Sequence, residues 1–410
     1  MGRSPRRCGN RLSHRHGADL GGITLTRIYL VRHGEAEGNL YRRMQGQYNS
    51  SLTELGYRQE EAVGKRFLDI PLDAVYSSDL YRAMDTASAL CLPKGLPLHT
   101  DVRFREVNVG PWEELPFGTA WRINPKEMDD FTNHPDQWRL AGAETFRQVG
   151  ERSIAALREI VAKHPGGTVA VCGHGYLITA TLCGLIYGYE NRDQAGRSDN
   201  TAVTLLEWDD EQIRVVFQND SSHLEREHLT RSRWKPETGL ADLHIAPMGN
   251  EVEQYIRYRQ DAWEVVYGSL KGFDGPGFWM DAQRTMGKDP NAMVVGYLDR
   301  TPVGMIQLSP ERDSRKGVGY IPFLYLREAY RHKGLGIQLV GHAVSFYRKL
   351  GRDRLQLSVA PTNEKALGFY HKFGFRETGK NPGRFGRLIV MEKDIALQKL
   401  PKKLKIIPEI

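Results

Sequence analysis

Two histidines in this chain stand where short apolar runs end, and they carry groups well suited to chemistry on phosphorus. His33 lies beside Arg32, whose guanidinium cannot lose its charge and presents a donor fork that fits a phosphate group. A neutral imidazole is a nucleophile that can attack phosphorus. His174 stands between two glycines after the second run. The pattern predicts phosphoryl transfer on a histidine, although Arg-His-Gly alone would also fit an ordinary turn.

The residues ahead of both histidines predict strands of an α/β sheet. Residues 27–31 read RIYLV and residues 168–172 read TVAVC, and a glycine lies close after each run. Ligands of such sheets bind in the crevice at the carboxyl edge of the strands. A single histidine after a strand is usually structural, but two at one edge are difficult to explain by packing. We therefore expect His33 and His174 to lie together in one crevice.

Two further charged residues stand where they would complete such a site. Arg82 lies in the first turn of a predicted helix after a strand, and it is either a solvated helix arginine or a second anion ligand. Glu106 lies in a predicted turn, where a surface carboxylate would be ordinary. Phosphoryl transfer needs such a group because the leaving alkoxide must gain a proton and the attacking water must lose one.

These residues together resemble the histidine phosphatase superfamily, also called the phosphoglycerate mutase-like family. Its signature RHGE(x)₃N is similar to the segment from Arg32 to Asn39. The resemblance implies a three-layer α/β/α domain, a phosphohistidine at His33, Glu106 as general acid and His174 as a donor to the phosphoryl oxygens. It also implies four phosphate-binding residues, namely Arg32, Arg82, Asn39 and Gln45. No metal is expected.

The chain departs from the family pattern at three places. Asn49 stands where Asp is usual, Glu114 replaces the Gly that usually follows Trp-Glu, and Ala143 replaces another Gly. Glu114 puts the geometry of its loop in question. His174 follows Glu106 by only 68 positions, which leaves little room for the long insertions of the mutases in this family. We therefore expect a phosphomonoester hydrolase, with phosphoglycerate mutase-type transfer as the alternative.

The second half of the chain contains a glycine motif that suits a pyrophosphate. The motif R-x-x-G-x-G runs from Arg331 to Gly336 between a predicted strand, residues 321–326, and a helix. Glycines at a helix start let backbone N–H groups approach a pyrophosphate, and the helix dipole favours the anion. A plain strand-loop-helix turn would explain the same residues.

The motif resembles the acetyl-coenzyme A loop of the GNAT acetyltransferases, and residues 363–375 resemble their N-x-x-A-x-x-F-Y-x-K-x-G-F stretch. The resemblance implies a GNAT-fold α+β domain with a mixed sheet that transfers an acetyl group from acetyl-CoA to an amine. The implied cofactor-binding residues are Leu324, Leu326, Arg331, Lys333, Gly334, Gly336 and Asn363. Tyr370 is either the acid that protonates the departing thiolate or a core aromatic. The 321–326 strand holds no acidic residue, and Glu328 lies in the following turn. The alternative is a CoA-binding module without transferase activity.

Length and charge place these motifs in two domains. We expect a disordered basic tail over residues 1–22, a histidine phosphatase domain over 23–217, a linker over 218–243, an acetyltransferase domain over 244–397 and a basic tail over 398–410. The formal charge of +7 lies in the two tails, so the body offers no basic groove for nucleic acid. The expected partners are a small phosphorylated metabolite, acetyl-CoA and a small-molecule or peptide amine.

Four cysteines without paired spacing, no secretory signal and no apolar run of membrane-spanning length predict a cytoplasmic protein.

Overall fold

A computed structural model describes residues 25–209, 212–230, 241–383 and 386–409, which form two seven-stranded sheets. The first sheet has the strand order β14-β3-β2-β4-β1-β5-β6, and the second has the order β12-β13-β11-β10-β9-β8-β7. The strands of the first sheet are β1 (Thr26–Arg32), β2 (Ala74–Ser77), β3 (Leu98–Thr100), β4 (Thr168–Gly173), β5 (Val203–Trp208), β6 (Ile213–Asp220) and β14 (Ile406–Pro408). The strands of the second sheet are β7 (His244–Pro247), β8 (Met293–Leu298), β9 (Thr301–Ser309), β10 (Val318–Leu326), β11 (Arg354–Val359), β12 (Arg376–Gly383) and β13 (Gly386–Asp394).

Helices cover both faces of each sheet. Those of the first domain are α1 (Glu37–Leu40), α2 (Glu54–Phe67), α3 (Tyr81–Cys91), α4 (Phe117–Ile123), α5 (Pro125–Asn133), α6 (Phe146–Lys163), α7 (Gly175–Leu182) and α8 (Arg192–Ala195). Those of the second domain are α9 (Val252–Tyr267), α10 (Gly275–Lys288), α11 (Gly336–Lys349) and α12 (Glu364–Lys372).

The central strands of the first sheet are buried on both faces, which explains their continuous apolar runs. Ile28 and Leu30 of β1 join a core with residues of α6 and α7, whereas Val31 joins a second core with residues of α2 and α3. Successive side chains of a strand point to opposite faces, so the sheet lies between two helical layers. The predicted three-layer α/β/α domain is confirmed.

The parallel pairing of β1 with β4 places the two histidine motifs side by side. Arg32 is the register partner of Gly173, so His33 and His174 follow neighbouring strand ends. The main-chain N–H of His33 donates to the carbonyl of Gly173 at 2.9 Å, which continues the pairing one residue further. The sheet therefore delivers both imidazoles to one edge, as the sequence predicts.

The second domain has the mixed sheet predicted for it, with an opening between two of its parallel strands. β10 pairs with β11 only from Val318 to Ile321, and its register against β9 shifts between Tyr320 and Phe323. Ile321 packs on the side of α11, whereas Phe323, two residues later, packs on the side of α9 and α10. In a regular strand, residues two positions apart lie on the same face of the sheet. The irregularity therefore places Ile321 and Phe323 on opposite faces.

Residues 398–409 of the segment expected as a C-terminal tail, residues 398–410, return to the first domain. Ile406–Pro408 pairs in parallel with Leu98–Thr100 and becomes the outer strand of the first sheet. Leu400 and Leu404 pack against the core that contains Val31. This contact covers the edge of β3, which would otherwise present unpaired backbone groups.

The segment expected as a linker is partly packed on the first domain. β6 continues to Asp220, and the side chain of Gln59 donates to the carbonyl of His228 at 2.7 Å. Residues 231–240 and the predicted N-terminal tail lie outside the described residues. Among the described helices none has the length and apolar character needed to cross a membrane.

Candidate functional site

His33 is held in one orientation by its own loop. Its Nδ1 lies 2.7 Å from the carbonyl oxygen of Gly34, and because a carbonyl only accepts, Nδ1 carries the proton. The other ring nitrogen, Nε2, then has the free lone pair that a nucleophile needs. Burial, followed by the charges of Arg82 and Arg32, lowers the pKa of His33 well below its usual value. The ring therefore stays neutral at acidic pH.

His174 lies against His33, with the two ring centroids 5.2 Å apart. It is fully buried, and neither of its ring nitrogens has a hydrogen-bond partner. Burial, followed by the charge of Arg82, lowers the pKa of His174 well below its usual value. An unpartnered buried polar group is unfavourable unless it serves a function, so this imidazole is a donor or acceptor available to a bound group.

Arg82 is fully buried at the start of α3, and the carbonyl groups of a neighbouring loop hold it in place. Its Nη1 and Nη2 donate to the carbonyl oxygens of Tyr48 and Gly46 at 3.0 and 2.7 Å, while its Nε has no partner. Burial lowers the pKa of Arg82 to about 10, so the guanidinium remains charged at neutral pH. The solvated-arginine alternative therefore does not apply.

Arg32 completes the positive side of the pocket. Its Nη1 donates to the carbonyl of Ser198, and the guanidinium lies against Gly175. A Cβ at Gly175 would come 3.2 Å from Nε of Arg32, so the glycine after His174 leaves room for this arginine. Two guanidinium groups beside two imidazoles form a site that favours an anion with the charge of a phosphate.

Glu106 lies at the beginning of α7, the helix that follows His174. Its carboxylate accepts the main-chain N–H groups of Val107, Tyr176 and Leu177 at 3.0 to 3.2 Å. Burial raises the pKa of Glu106, while these donors and the charge of Arg82 act in the opposite direction. A carboxyl group whose pKa is raised by burial is suited to the role of a general acid, which must hold a proton before it gives it up.

Asn39 and Gln45, predicted from the family resemblance to bind phosphate, make contacts within their own segment. The side-chain oxygen of Asn39 accepts the N–H of Ala36 at 3.0 Å and caps α1. The side-chain amide of Gln45 donates to Ser50. The structure thus gives both residues a role in holding this segment, and their contacts with phosphate remain a prediction.

Two of the three departures from the family pattern, Asn49 and Glu114, have an explanation in the structure. The side-chain oxygen of Asn49 accepts the N–H of Tyr81 at 3.0 Å. A carboxylate oxygen of Asp could accept the same N–H, so Asn can replace Asp here. Glu114 has a φ of +62°, a left-handed conformation that favours glycine. Its carboxylate contacts Ser345 and Lys349 of the second domain, so the strained residue has a partner that glycine would lack.

Sequence reasoning missed two residues that support the catalytic groups. Arg152 donates to the carbonyl of Glu106 at 3.0 Å and pairs with Glu144 at 2.8 Å. Asn200 donates through its side-chain nitrogen to the carbonyl of His33 at 2.9 Å. Both side chains bind main-chain groups of distant segments, and no local motif signals such contacts.

The glycine motif of the second domain forms the turn into α11. Gly334 has a φ of +69°, which a residue with a side chain rarely adopts, and α11 begins at Gly336. The first N–H groups of a helix have no intrahelical partner and suit an anion. Arg331 donates to the carbonyl of Leu326 at 2.9 Å, and Lys333 lies 5.6 Å from the ring of Tyr330. The turn and the opening between β10 and β11 fit a long ligand with a pyrophosphate.

The other predicted cofactor and catalytic residues lie in β10 and in or at the start of α12. Leu324 and Leu326 are partly buried in β10, beside α11. Asn363 accepts the N–H of Ala366 at 3.2 Å and caps α12. Tyr370 is 7% exposed and packs against Phe369 and Phe375, and burial raises its pKa. A protonated, packed tyrosine agrees with both of its predicted roles.

An acidic residue that the sequence did not indicate reaches the end of β10 from α9. The hydroxyl of Tyr325 donates to the carboxylate of Asp261 at 2.7 Å. Both residues line a cavity of about 490 Å³, together with Glu328 in the turn after the strand. Burial, followed by contact with Asp261, raises the pKa of Tyr325. The strand that lacked an acidic residue in the sequence therefore gains one from a helix 64 positions away.

Comparison with known proteins assigns both halves to families. A model of the histidine phosphatase superfamily (branch 1) matches residues 28–221, and a model of the acetyltransferase (GNAT) family matches residues 253–375. The probable phosphoglycerate mutase GpmB of Yersinia pestis (strain Pestoides F) is 33% identical over 171 residues, which cover 41% of this chain and 80% of the relative.

Similar solved structures match about half of the chain. YhfR of Bacillus stearothermophilus is 32% identical with a TM-score of 0.48, over 49% of this chain and 100% of that chain. The mycobacterial glucosyl-3-phosphoglycerate phosphatase is 30% identical with a TM-score of 0.45, over 48% of this chain and 100% of that chain. Both predicted families are confirmed by the family models. The chain belongs to the histidine phosphatase superfamily and carries, after that domain, a second domain of the GNAT acetyltransferase family.

Proposed function

We propose that the first domain hydrolyses a small phosphomonoester through a phosphohistidine at His33. The observation that carries this proposal is the pair of buried imidazoles, 5.2 Å apart, with Nδ1 of His33 fixed by Gly34 and Nε2 left to attack. The positive charges of Arg32 and Arg82 offset the negative charge of the phosphoryl group and of its transition state.

The reaction proceeds in two displacements. Nε2 of His33 forms a bond to phosphorus, the ester P–O bond breaks, and the carboxyl group of Glu106 gives its proton to the leaving oxygen. His174 donates a hydrogen bond to a phosphoryl oxygen and does not attack. Water then attacks the phosphorus atom, the Glu106 carboxylate takes a proton from that water, the bond between phosphorus and Nε2 breaks, and inorganic phosphate leaves. The second displacement thus restores the neutral His33 and the proton that Glu106 gave up in the first.

Trapping experiments test the nucleophile directly. The wild-type protein, incubated with p-nitrophenyl phosphate and quenched, is expected to contain an acid-labile phosphoenzyme. The His33→Ala variant is expected to lose both the phosphoenzyme and turnover. A matched control is His164→Gln, because His164 contacts Thr26 at the opposite end of β1. A normal rate in His33→Ala would contradict the proposal.

Phosphoglycerate mutase-type transfer is the alternative for this domain, and the name of the Yersinia relative favours it. The short interval between Glu106 and His174 favours hydrolysis. Incubation with a phosphoglycerate separates the two, since a phosphatase releases inorganic phosphate in proportion to substrate loss. A mutase instead yields the isomer with little free phosphate.

For the second domain we propose acetyl transfer from acetyl-CoA to an amine, with Asp261 as general base. The supporting observation is the turn at Gly334 and Gly336 beside the opening of β10 and β11. In the sequence pattern of the family, Arg331, Lys333 and Asn363 stand at positions that bind the cofactor. Acetyl-CoA, when bound, supplies an activated thioester. Asp261 then accepts the proton of the attacking amine, directly or through Tyr325.

Calorimetric titration of the full-length protein with acetyl-CoA, followed by an amine screen that detects the free thiol of coenzyme A, tests this proposal. Binding and thiol release are expected. Binding without thiol release across the screen would favour the alternative, a CoA-binding module without transfer.

The covalent linkage of the two domains motivates a further expectation. One small metabolite, or two related ones, is the substrate of both domains in the cytoplasm. Three buried cysteines without disulfides, Cys91, Cys172 and Cys183, agree with that compartment.

A further inference from the structure

Helix α11 of the second domain lies against the first domain close to its histidine motif. Both Nη atoms of Arg348 donate to the carboxylate of Glu37, at 2.7 and 3.0 Å. Two turns earlier in α11, Gly341 lies so close to Tyr41 that an added Cβ would come within 2.4 Å of it. Glu37 is part of the RHGE(x)₃N signature segment, between Glu35 and Asn39. The second domain therefore contacts the segment that carries the proposed nucleophile.

The same helix contacts a second place in the first domain. The hydroxyl of Ser345 donates to Glu114 at 3.1 Å, and the ammonium of Lys349 lies 2.8 Å from the other oxygen of that carboxylate. The neighbouring residue, Glu113, accepts the main-chain N–H groups of Gln47 and Tyr48 at 2.7 and 3.2 Å. Glu113 and Glu114 thus connect α11 with residues 44–51, which we call the 44–51 loop.

Glu37 holds the other end of the 44–51 loop. Its carboxylate accepts the N–H of Ser51 at 3.3 Å, and its own N–H donates to the carbonyl of Ser51 at 3.1 Å. At the start of the loop, the main-chain N–H of Glu114 donates to the carbonyl of Met44 at 3.1 Å. Within the loop, the carbonyl groups of Gly46 and Tyr48 bind the guanidinium of Arg82. The loop is therefore fixed at both ends by residues that α11 contacts, and in its middle it orients Arg82.

We propose that Arg348 is a positioning residue of the phosphoryl-transfer pocket, acting through Glu37 and the 44–51 loop on Arg82. Arg348 and Glu37 are 20% and 11% exposed, so removing the guanidinium leaves a largely buried carboxylate without its partner. Glu37 then turns toward solvent, and Ser51 and the loop lose an anchor. A small displacement of Arg82, which binds the phosphoryl group, is sufficient to lower turnover. This inference rests on the proposed phosphatase function.

The test compares two variants that each break an interdomain ion pair. Arg348→Gln is expected to lower kcat/KM for p-nitrophenyl phosphate about tenfold or more, since the pocket geometry changes. Asp242→Asn, the matched control, breaks a bidentate pair of Asp242 with Arg42 and is expected to change kcat/KM by less than about twofold. Equal effects of the two variants would overturn the inference.

A double-mutant cycle separates positioning from general destabilisation. Glu37→Gln is expected to lower kcat/KM as Arg348→Gln does, and the double variant is expected to lose little more because the two residues act as a unit. Arg348→Lys is expected to restore part of the rate. Additive losses, with no recovery in the lysine variant, would contradict the coupling.

The positioning role can be tested even if the proposed hydrolysis fails. Calorimetric titration with inorganic phosphate measures the pocket without turnover, and Arg348→Gln is expected to weaken phosphate binding about tenfold relative to Asp242→Asn. An inactive wild-type protein with this difference would overturn the phosphatase proposal alone. An active wild-type protein without this difference, in rate or in binding, would overturn the positioning role alone.

Discussion

The carboxylate of Glu106 accepts the main-chain N–H of Leu177 at 3.0 Å, in the first turn of the helix that follows His174. The proposed acid and the second imidazole are therefore held by the same short helix. Because the free N–H groups of a helix start stabilise a carboxylate, they oppose the effect of burial on Glu106. The balance of these two effects sets the pH at which the acid loses its proton.

The first prediction concerns the leaving group and pH. Glu106→Gln is expected to lower kcat/KM, which reports the displacement that releases the leaving group, about 100-fold or more for an alkyl phosphate. It should lower kcat/KM much less for p-nitrophenyl phosphate, whose leaving group departs without a proton. In the wild-type protein, activity toward the alkyl phosphate should persist at pH values below the ordinary pKa of histidine, since burial lowers the pKa of His33. It should fall on the alkaline side, where Glu106 ionises from its raised pKa.

Steady-state rates from pH 4 to 9 for both substrates check this prediction. The Glu106→Gln variant is expected to lose the alkaline fall. An equal loss of kcat/KM for both substrates would show that Glu106 does not protonate the leaving group.

The second prediction concerns backbone strain at Glu114. Glu114→Ala and Glu114→Gly both remove the contacts with Ser345 and Lys349, but only the glycine also removes the strain of the left-handed conformation. The glycine variant should therefore be more stable than the alanine variant by about 1 kcal/mol. Denaturant unfolding followed by tryptophan fluorescence measures the difference, and equal stabilities would show that the left-handed conformation is not retained in solution.

The third prediction concerns the C-terminal strand. A chain that ends after Leu397 lacks β14, Leu400 and Leu404, and its first sheet has an open edge at β3. Its thermal midpoint should fall by about 5 °C or more. Glu409→Gln, which weakens the contacts of Glu409 with His99 and Lys163 but keeps the strand, should cause a smaller fall. An unchanged midpoint in the truncated chain would mean that β14 contributes nothing to stability.

The fourth prediction concerns the acceptor side of the second domain. Asp261→Asn should lower kcat of acetyl transfer about 100-fold while the binding of acetyl-CoA remains. The matched control is Asp281→Asn, since Asp281 contacts Gln307 at 3.0 Å and does not line the cavity that contains Asp261. Initial rates and calorimetric titration of both variants check this. Similar losses in the two variants would remove Asp261 as the base.

Much of the first site was predictable from the sequence because each residue proposed to act in catalysis follows its own strand or turn directly. His33 and His174 end β1 and β4, and the parallel pairing of those strands brings the rings together. The departures were harder to interpret. Nothing in the sequence around Glu114 shows that its carboxylate has partners in the second domain, since Ser345 is 231 positions away.

The sequence by itself determined the two families and the strands that position the two histidines, because these depend on residue types at short spacing. Only the tertiary structure decided that Asp261 reaches Tyr325, that the last residues complete the first sheet, and that Arg348 contacts Glu37. These relationships join segments far apart in the chain. They form when apolar faces pack together, and a local pattern of residues does not specify which distant side chains that packing brings into contact.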